Sequence, residues 1–100
     1  MTIKVAKEGE RTTVFLSGTI DIPAGESLKT TMSDIAGDTK AAEIIVDFKQ
    51  VDSIGSSAIG ALLLSHKEFT ARGLKFQLVN VNKDIKSLFK IIKLDKIFKI

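Results

Sequence analysis

Three serines lie within residues 51–60, Val51-Asp52-Ser53-Ile54-Gly55-Ser56-Ser57-Ala58-Ile59-Gly60. An apolar, β-branched run precedes them at residues 43–48, and helical spacing begins near Ser56, so the small residues fall where a strand ends and a helix opens. At such a junction unpaired backbone N–H groups and the positive end of the helix dipole converge, which suits an anion or a phosphate carried on a side chain. A hydroxyl there has three possible chemistries: nucleophile, part of a nucleotide-phosphate loop, or phosphate acceptor.

The first two fail on their partners. Gly55-Ser56-Ser57-Ala58 lacks the Gly-x-Ser-x-Gly spacing of a hydrolase elbow. The single histidine, His66, lies ten residues along the same helix from Ser56, about 15 Å away at 1.5 Å per residue. His66 reads as a helix-surface or boundary residue. Gly55 and Gly60 have the gap of a phosphate-binding loop, but Ala61-Leu62 stands where Lys-Ser/Thr would contact phosphate and magnesium. Asp21, Asp47 and Asp52 are oxygen donors suited to a hard cation, yet their spacing is unspecific and no metal or other cofactor is expected. What remains is a hydroxyl presented at a helix start, where Ser56 would be the cap and Ser57 the first helical residue. A phosphate added there brings roughly −1.5 to −2 charges to the positive end of the dipole. It would land among Ile54, Ala58, Ile59 and Ala61, a neutral surface suited to docking a partner. A packing role alone for Gly55, Ala58 and Gly60, letting helix and sheet approach, stays open.

Other elements must hold this junction. Ile3 and Val5 alternate with polar neighbours, and Glu8-Gly9-Glu10 turns into a second run over residues 12–17, which predicts a hairpin. Asp21 before Pro23 predicts the cap of a helix over residues 23–36, with Ala24, Leu28, Met32 or Thr31, and Ile35 as its apolar stripe. Residues 43–48 predict a buried central strand. Ile59, Leu62, Leu63 and Phe69 predict the next helix, ended by Gly73. Residues 74–81 predict a strand, Asn82-Lys83-Asp84 caps a helix through Ile92, and Ile97-Phe98-Lys99-Ile100 predicts a short edge strand. The order is ββαβαβαβ, an α/β domain with a mixed, mostly parallel sheet opened by a hairpin and about three packed helices. The loops at residues 18–23 and 51–60 then follow neighbouring strands at their carboxyl ends, where open α/β sheets bind ligands.

One hundred residues make one domain spanning 1–100, expected as a monomer. With 44% hydrophobic and 27% charged residues the composition is that of an ordinary globular protein, and no apolar run approaches the roughly 20 residues of a span. Neither a membrane nor nucleic acid is expected as a partner. The start of the chain has no long apolar segment, which points to a cytoplasmic protein. Absence of cysteine excludes disulfides and thiol chemistry. The net charge of +3 is uneven, since Lys83, Lys86, Lys90, Lys93, Lys96 and Lys99 crowd the end of the chain. Their spacing of three and four reads as the solvated side of a helix whose apolar stripe is Ile85, Leu88, Phe89 and Ile92.

Over nearly its full length the chain resembles the STAS domains of bacterial anti-sigma factor antagonists. The resemblance is carried by Gly18-Thr19-Ile20-Asp21, the strand Ile44-Ile45-Val46-Asp47-Phe48, the stretch 51–60, and the ending Ile85-Lys86-Ser87-Leu88-Phe89 with Leu94-Asp95-Lys96-Ile97-Phe98. It implies a non-enzymatic binding module that grips an anti-sigma factor, itself an ATP-binding serine kinase, and lets go once phosphorylated. It places the acceptor at Ser56, with Ser57 second, and partner contacts at Asp21, Ile54, Gly55, Ser56, Ser57, Ala58 and Ile59. A phosphoserine phosphatase would reverse the step. Gly55 stands where the family usually has Asp, and Ala58 where it usually has Gly. The alternative is a STAS-type sensor that binds a nucleotide or another small anion without phosphorylation.

Overall fold

The computed structural model describes residues 2–38 and 40–100. Strand β1 (Thr2–Glu8) turns through Gly9 and Glu10 into β2 (Arg11–Ile20), with Gly9 at φ 62 supplying the left-handed corner a two-residue hairpin needs. Helix α1 (Ile22–Ala36), strand β3 (Glu43–Ile54), helix α2 (Ser56–Ala71), strand β4 (Lys75–Val79) and helix α3 (Lys83–Ile91) follow, and a single-turn helix α4 (Asp95–Phe98) comes last. The sheet order is β1-β2-β3-β4, antiparallel in the hairpin and parallel beyond it, as the sequence predicts.

Two successive crossovers step in the same direction across the sheet, so right-handed connections put α1 and α2 on one face. Val14, Leu16, Ile44, Val46, Phe48 and Leu78 line that face and are buried against Leu28 and Met32 of α1 and Leu62 and Phe69 of α2. Phe98 anchors α4 to the same side. Its ring lies 5.5 Å from Phe89 and 5.4 Å from His66, which also meets Phe76 edge-on at 5.9 Å. His66 is therefore a half-buried boundary residue, as its position suggests.

Strand β3 is longer than residues 43–48. Its pairing with β2 slips twice, between Phe15 and Ser17 and between Gly18 and Thr19, and Gly18 sits at φ 83. Those slips turn Val51, three residues beyond Phe48, back to the core, where strict alternation would put it outside. Lys49 and Gln50, which read as the end of the strand, are exposed positions within it. The predicted edge strand at residues 97–100 is replaced by α4. Phe98 is buried and Ile100 half-buried against the core, Ile97 and Lys99 stay exposed, and Lys99 in the left-handed region ends the turn.

Helices α1 and α2 approach each other closely at their first turns. A Cβ on Gly25 would stand 2.8 Å from both the Ala58 nitrogen and the Ser57 Cβ, closer than real side chains pack. Gly60, one turn on in α2, has nothing within 4 Å of the same construction. Opposite outcomes are expected for one methyl group at the two sites. Gly25→Ala lowers stability by about 1–3 kcal/mol through overpacking, whereas Gly60→Ala raises it by about 1 kcal/mol through helix propensity. Urea midpoints of the two variants check this, and equal shifts would contradict the packing described.

Candidate functional site

Two helix starts lie side by side at the carboxyl ends of β2 and β3. Ile20 pairs with Ile54, and the Gly55 N–H donates to the Ile20 carbonyl at 2.8 Å, so Asp21 and Gly55 leave the sheet together. Asp21 caps α1, its carboxylate accepting from the Ala24 N–H at 3.1 Å. Asn82 caps α3 in the same manner, accepting from Ile85 at 2.9 Å, and also donates to the Val51 carbonyl at 3.0 Å. Helix α2 has no side-chain cap. Its N-cap is Gly55, extended at φ −96 and ψ 173, and its first internal bond runs from the Ile59 N–H to the Gly55 carbonyl.

This corrects the helix register. Ser56, expected as the cap, is the first helical residue, and Ser57 is the second. The difference follows from β3 continuing to Ile54, which leaves one residue, Gly55, for the change of direction. The shift separates the two hydroxyls. Ser57 is half-buried against Gly25 of α1, while Ser56 is exposed. The backbone N–H groups of Ser56, Ser57 and Ala58 have no acceptor inside their helix, as in any first turn.

The outer face of α2 was read differently from the sequence. Its core residues are Ala58, Ala61, Leu62, Ser65 and Phe69, with the Ser65 hydroxyl donating back to the Ala61 carbonyl at 2.8 Å. Leu63, predicted inside, is exposed, as is Leu64 at 55%. Ile59 and Leu63 follow Ser56 at intervals of three and four, and Leu64 lies beside them, so an apolar stripe runs along the helix directly below the hydroxyl. Ile22 adds to the surface from the first turn of α1 and is 71% exposed. The sequence held the signal: Ile22 lies off the stripe formed by Ala24, Leu28, Met32 and Ile35. Of the other expected contacts, Ile54 and Gly55 are half-buried beside Ser56, Ala58 is fully buried under it, and Asp21 is exposed at the adjoining helix start.

The acidic residues do not gather. Asp47 lies in the sheet, accepting from the Lys49 N–H at 2.8 Å and from Asn80 at 3.2 Å, and the described residues contain no cluster of three metal-ligating groups. The larger cavities lie elsewhere. One of about 570 Å³ sits at the opposite end of the sheet between Arg11, Glu43 and Lys75, and one of about 490 Å³ flanks β4 near His66 and Phe98. Beside Ser57 there is only a groove of about 170 Å³ between α1 and α2.

A family model for the STAS domain matches residues 2–100. The chain belongs to the STAS domain family. Solved structures share the fold at low identity. An anti-sigma factor antagonist from Mycobacterium paratuberculosis superposes with a TM-score of 0.86 at 21% identity, over 97% of this chain and 81% of that one. The Bacillus cell-fate determinant SpoIIAA in its phosphorylated form gives 0.79 at 21%, over 95% and 86%. The STAS fold also occurs inside a murine Slc26a9 anion transporter, with a TM-score of 0.75 at 14% identity, covering 91% of this chain and 15% of that one. STAS domains of the antagonist type are non-enzymatic regulatory proteins. No helix among the described residues of this STAS domain is long and apolar enough to cross a membrane.

The missing cap of α2 has a measurable consequence. A Cβ on Gly55 would meet only the Ile20 carbonyl oxygen, at 3.3 Å, so a short side chain fits with a small adjustment. Gly55→Asp is expected to raise stability by a few tenths of a kcal/mol by capping α2. The urea midpoint checks it, and a fall would mean that the Ile20 contact cannot yield.

Proposed function

We propose that this STAS domain is an anti-sigma factor antagonist in a partner-switching pathway, acting in the cytoplasm. Unphosphorylated, it binds an anti-sigma factor that is also an ATP-binding serine kinase. Phosphorylation of Ser56 releases it, and a phosphoserine phosphatase returns it to the binding state. One observation carries the reading: Ser56 is an exposed hydroxyl at the uncapped start of α2, at the head of the stripe Ile59, Leu63 and Leu64.

The physical effect of the modification follows from that placement. A phosphate dianion at the first helical position meets the positive end of the α2 dipole, so the fold tolerates it. The partner does not. Closing an apolar interface over the dianion would strip its water without offering a counter-charge, and the complex weakens. Ser57 is the poorer acceptor because its side chain rests against α1, where an added phosphate would force the helices apart. A nucleotide-binding sensor is the weaker reading, because the groove beside Ser57, at about 170 Å³, is smaller than the ~300–1,000 Å³ pockets that hold ligands of that size.

Binding to the partner kinase without ATP, followed by calorimetry, tests the switch. Ser56→Ala should bind as the unmodified chain does, and Ser56→Asp should bind at least tenfold more weakly. Leu64→Asp, on the same face and exposed enough to leave the fold intact, should weaken binding comparably. Undiminished binding of Ser56→Asp and Leu64→Asp would refute the proposed surface.

A further inference from the structure

A second surface, sharing no residue with the Ser56 site, is left unexplained by partner switching. Residues 83–100 carry six lysines against Asp84 and Asp95, a net +4, while the rest of the chain, with nine Lys and Arg against ten Asp and Glu, carries −1. The net positive charge of the molecule thus comes from residues 83–100, which form α3, α4, the turn between them and the last two residues. Among the described residues the salt bridges are Lys7–Asp38 and Arg11–Glu43, and neither uses these lysines.

Charge alone would be a solvated face. The structure adds exposed apolar side chains within it. Ile92, expected in the buried stripe of α3, is 41% exposed because that helix ends at Ile91; Ile91 is 76% exposed and Ile97 is 40%. Helix α3 buries only Ile85 and Phe89 fully. The α3–α4 turn is tightly closed, by Lys93 N–H to the Lys90 carbonyl at 3.1 Å and Leu94 N–H to the Phe89 carbonyl at 2.8 Å, with Lys93 left-handed at φ 62. This hydrogen-bonded tip presents Ile91 and Ile92, both exposed, between Lys90 and Lys93.

The geometry points to this tip docking on an anionic lipid bilayer surface. Lysines on a long flexible stem are attracted to the negative leaflet, while the isoleucines enter the boundary between headgroups and acyl chains. An acidic protein is the weaker fit. Protein interfaces favour Arg and aromatic anchors and deplete Lys, whereas this surface has only Lys and its phenylalanines, Phe89 and Phe98, are buried. The expectation of no membrane partner rested on the absence of a span, which does not bear on contact at the surface.

Co-sedimentation of the whole chain with vesicles tests the proposal. At low salt it should bind phosphatidylcholine vesicles containing phosphatidylserine and ignore phosphatidylcholine alone, with binding lost as salt is added. The pair Lys90→Gln and Lys93→Gln should lower partitioning roughly 25-fold, about fivefold per lysine. Ile91→Ser should lower it about tenfold, and Lys49→Gln, on β3, should leave it unchanged. Failure to bind the anionic vesicles, or binding indifferent to these tip variants, overturns the proposal. Capture by polyglutamate with the vesicles ignored also overturns it and assigns the tip to an acidic protein.

Discussion

The site depends on how closely the first turn of α1 rests on the first turn of α2. With no side chain at Gly25, its backbone reaches the Ser57 side chain and the Ala58 nitrogen. That contact fixes the rotation of α2. Ser57 is turned inward and Ser56 outward, and Leu63 and Leu64 are held toward solvent, with Ile59 half-buried against the core at the edge of that face. The Gly55 N–H bond to Ile20 pins the same corner from below, so the position of Ser56 relative to the sheet is determined from two sides. Such a corner can carry a modification without moving. A switch of this kind changes the charge of a surface and leaves the fold as it is.

Gly55 gains a meaning from this arrangement. With Asp at that position the dipole of α2 would already have a negative partner and its free N–H groups an acceptor. Here both stay open, so a phosphate on Ser56 would be the first anion to meet them. The likeness to both an anti-sigma factor antagonist and a transporter domain fits a fold that serves several settings. What distinguishes this chain lies on its surfaces: the stripe below Ser56 and the basic tip at the α3–α4 turn.

Much of this was legible in the residues. Alternation, the Asp21-x-Pro23 and Asn82 caps and the Gly9 and Gly73 turns place the hairpin, the three longer helices and the mixed, mostly parallel sheet, because each is a local preference that packing reinforces. The errors share one cause, namely structure set by distant partners. The slips that prolong β3 exist only in its pairing with β2, so Lys49-Gln50 reads as an ending, and the cap of α2 moves one residue as a result. Leu63 looks like core because small residues look dispensable, yet Ala58 and Ala61 share the inner face with Leu62, Ser65 and Phe69, and α1 rests closely on the turn at Ala58. At the end of the chain, Ile97 to Ile100 alternates like a strand. Only the ring cluster of Phe89, Phe98, His66 and Phe76 makes a helical turn the better way to bury Phe98.

The central claim is that geometry selects one hydroxyl among Ser53, Ser56 and Ser57. Incubating the chain with ATP and the serine kinase proposed as its partner, then mapping the phosphate by peptide mass spectrometry, tests it most directly. A single phosphate on Ser56, absent in Ser56→Ala, is the predicted result. Phosphate on Ser57 or Ser53, or transfer that persists in Ser56→Ala, would contradict the account.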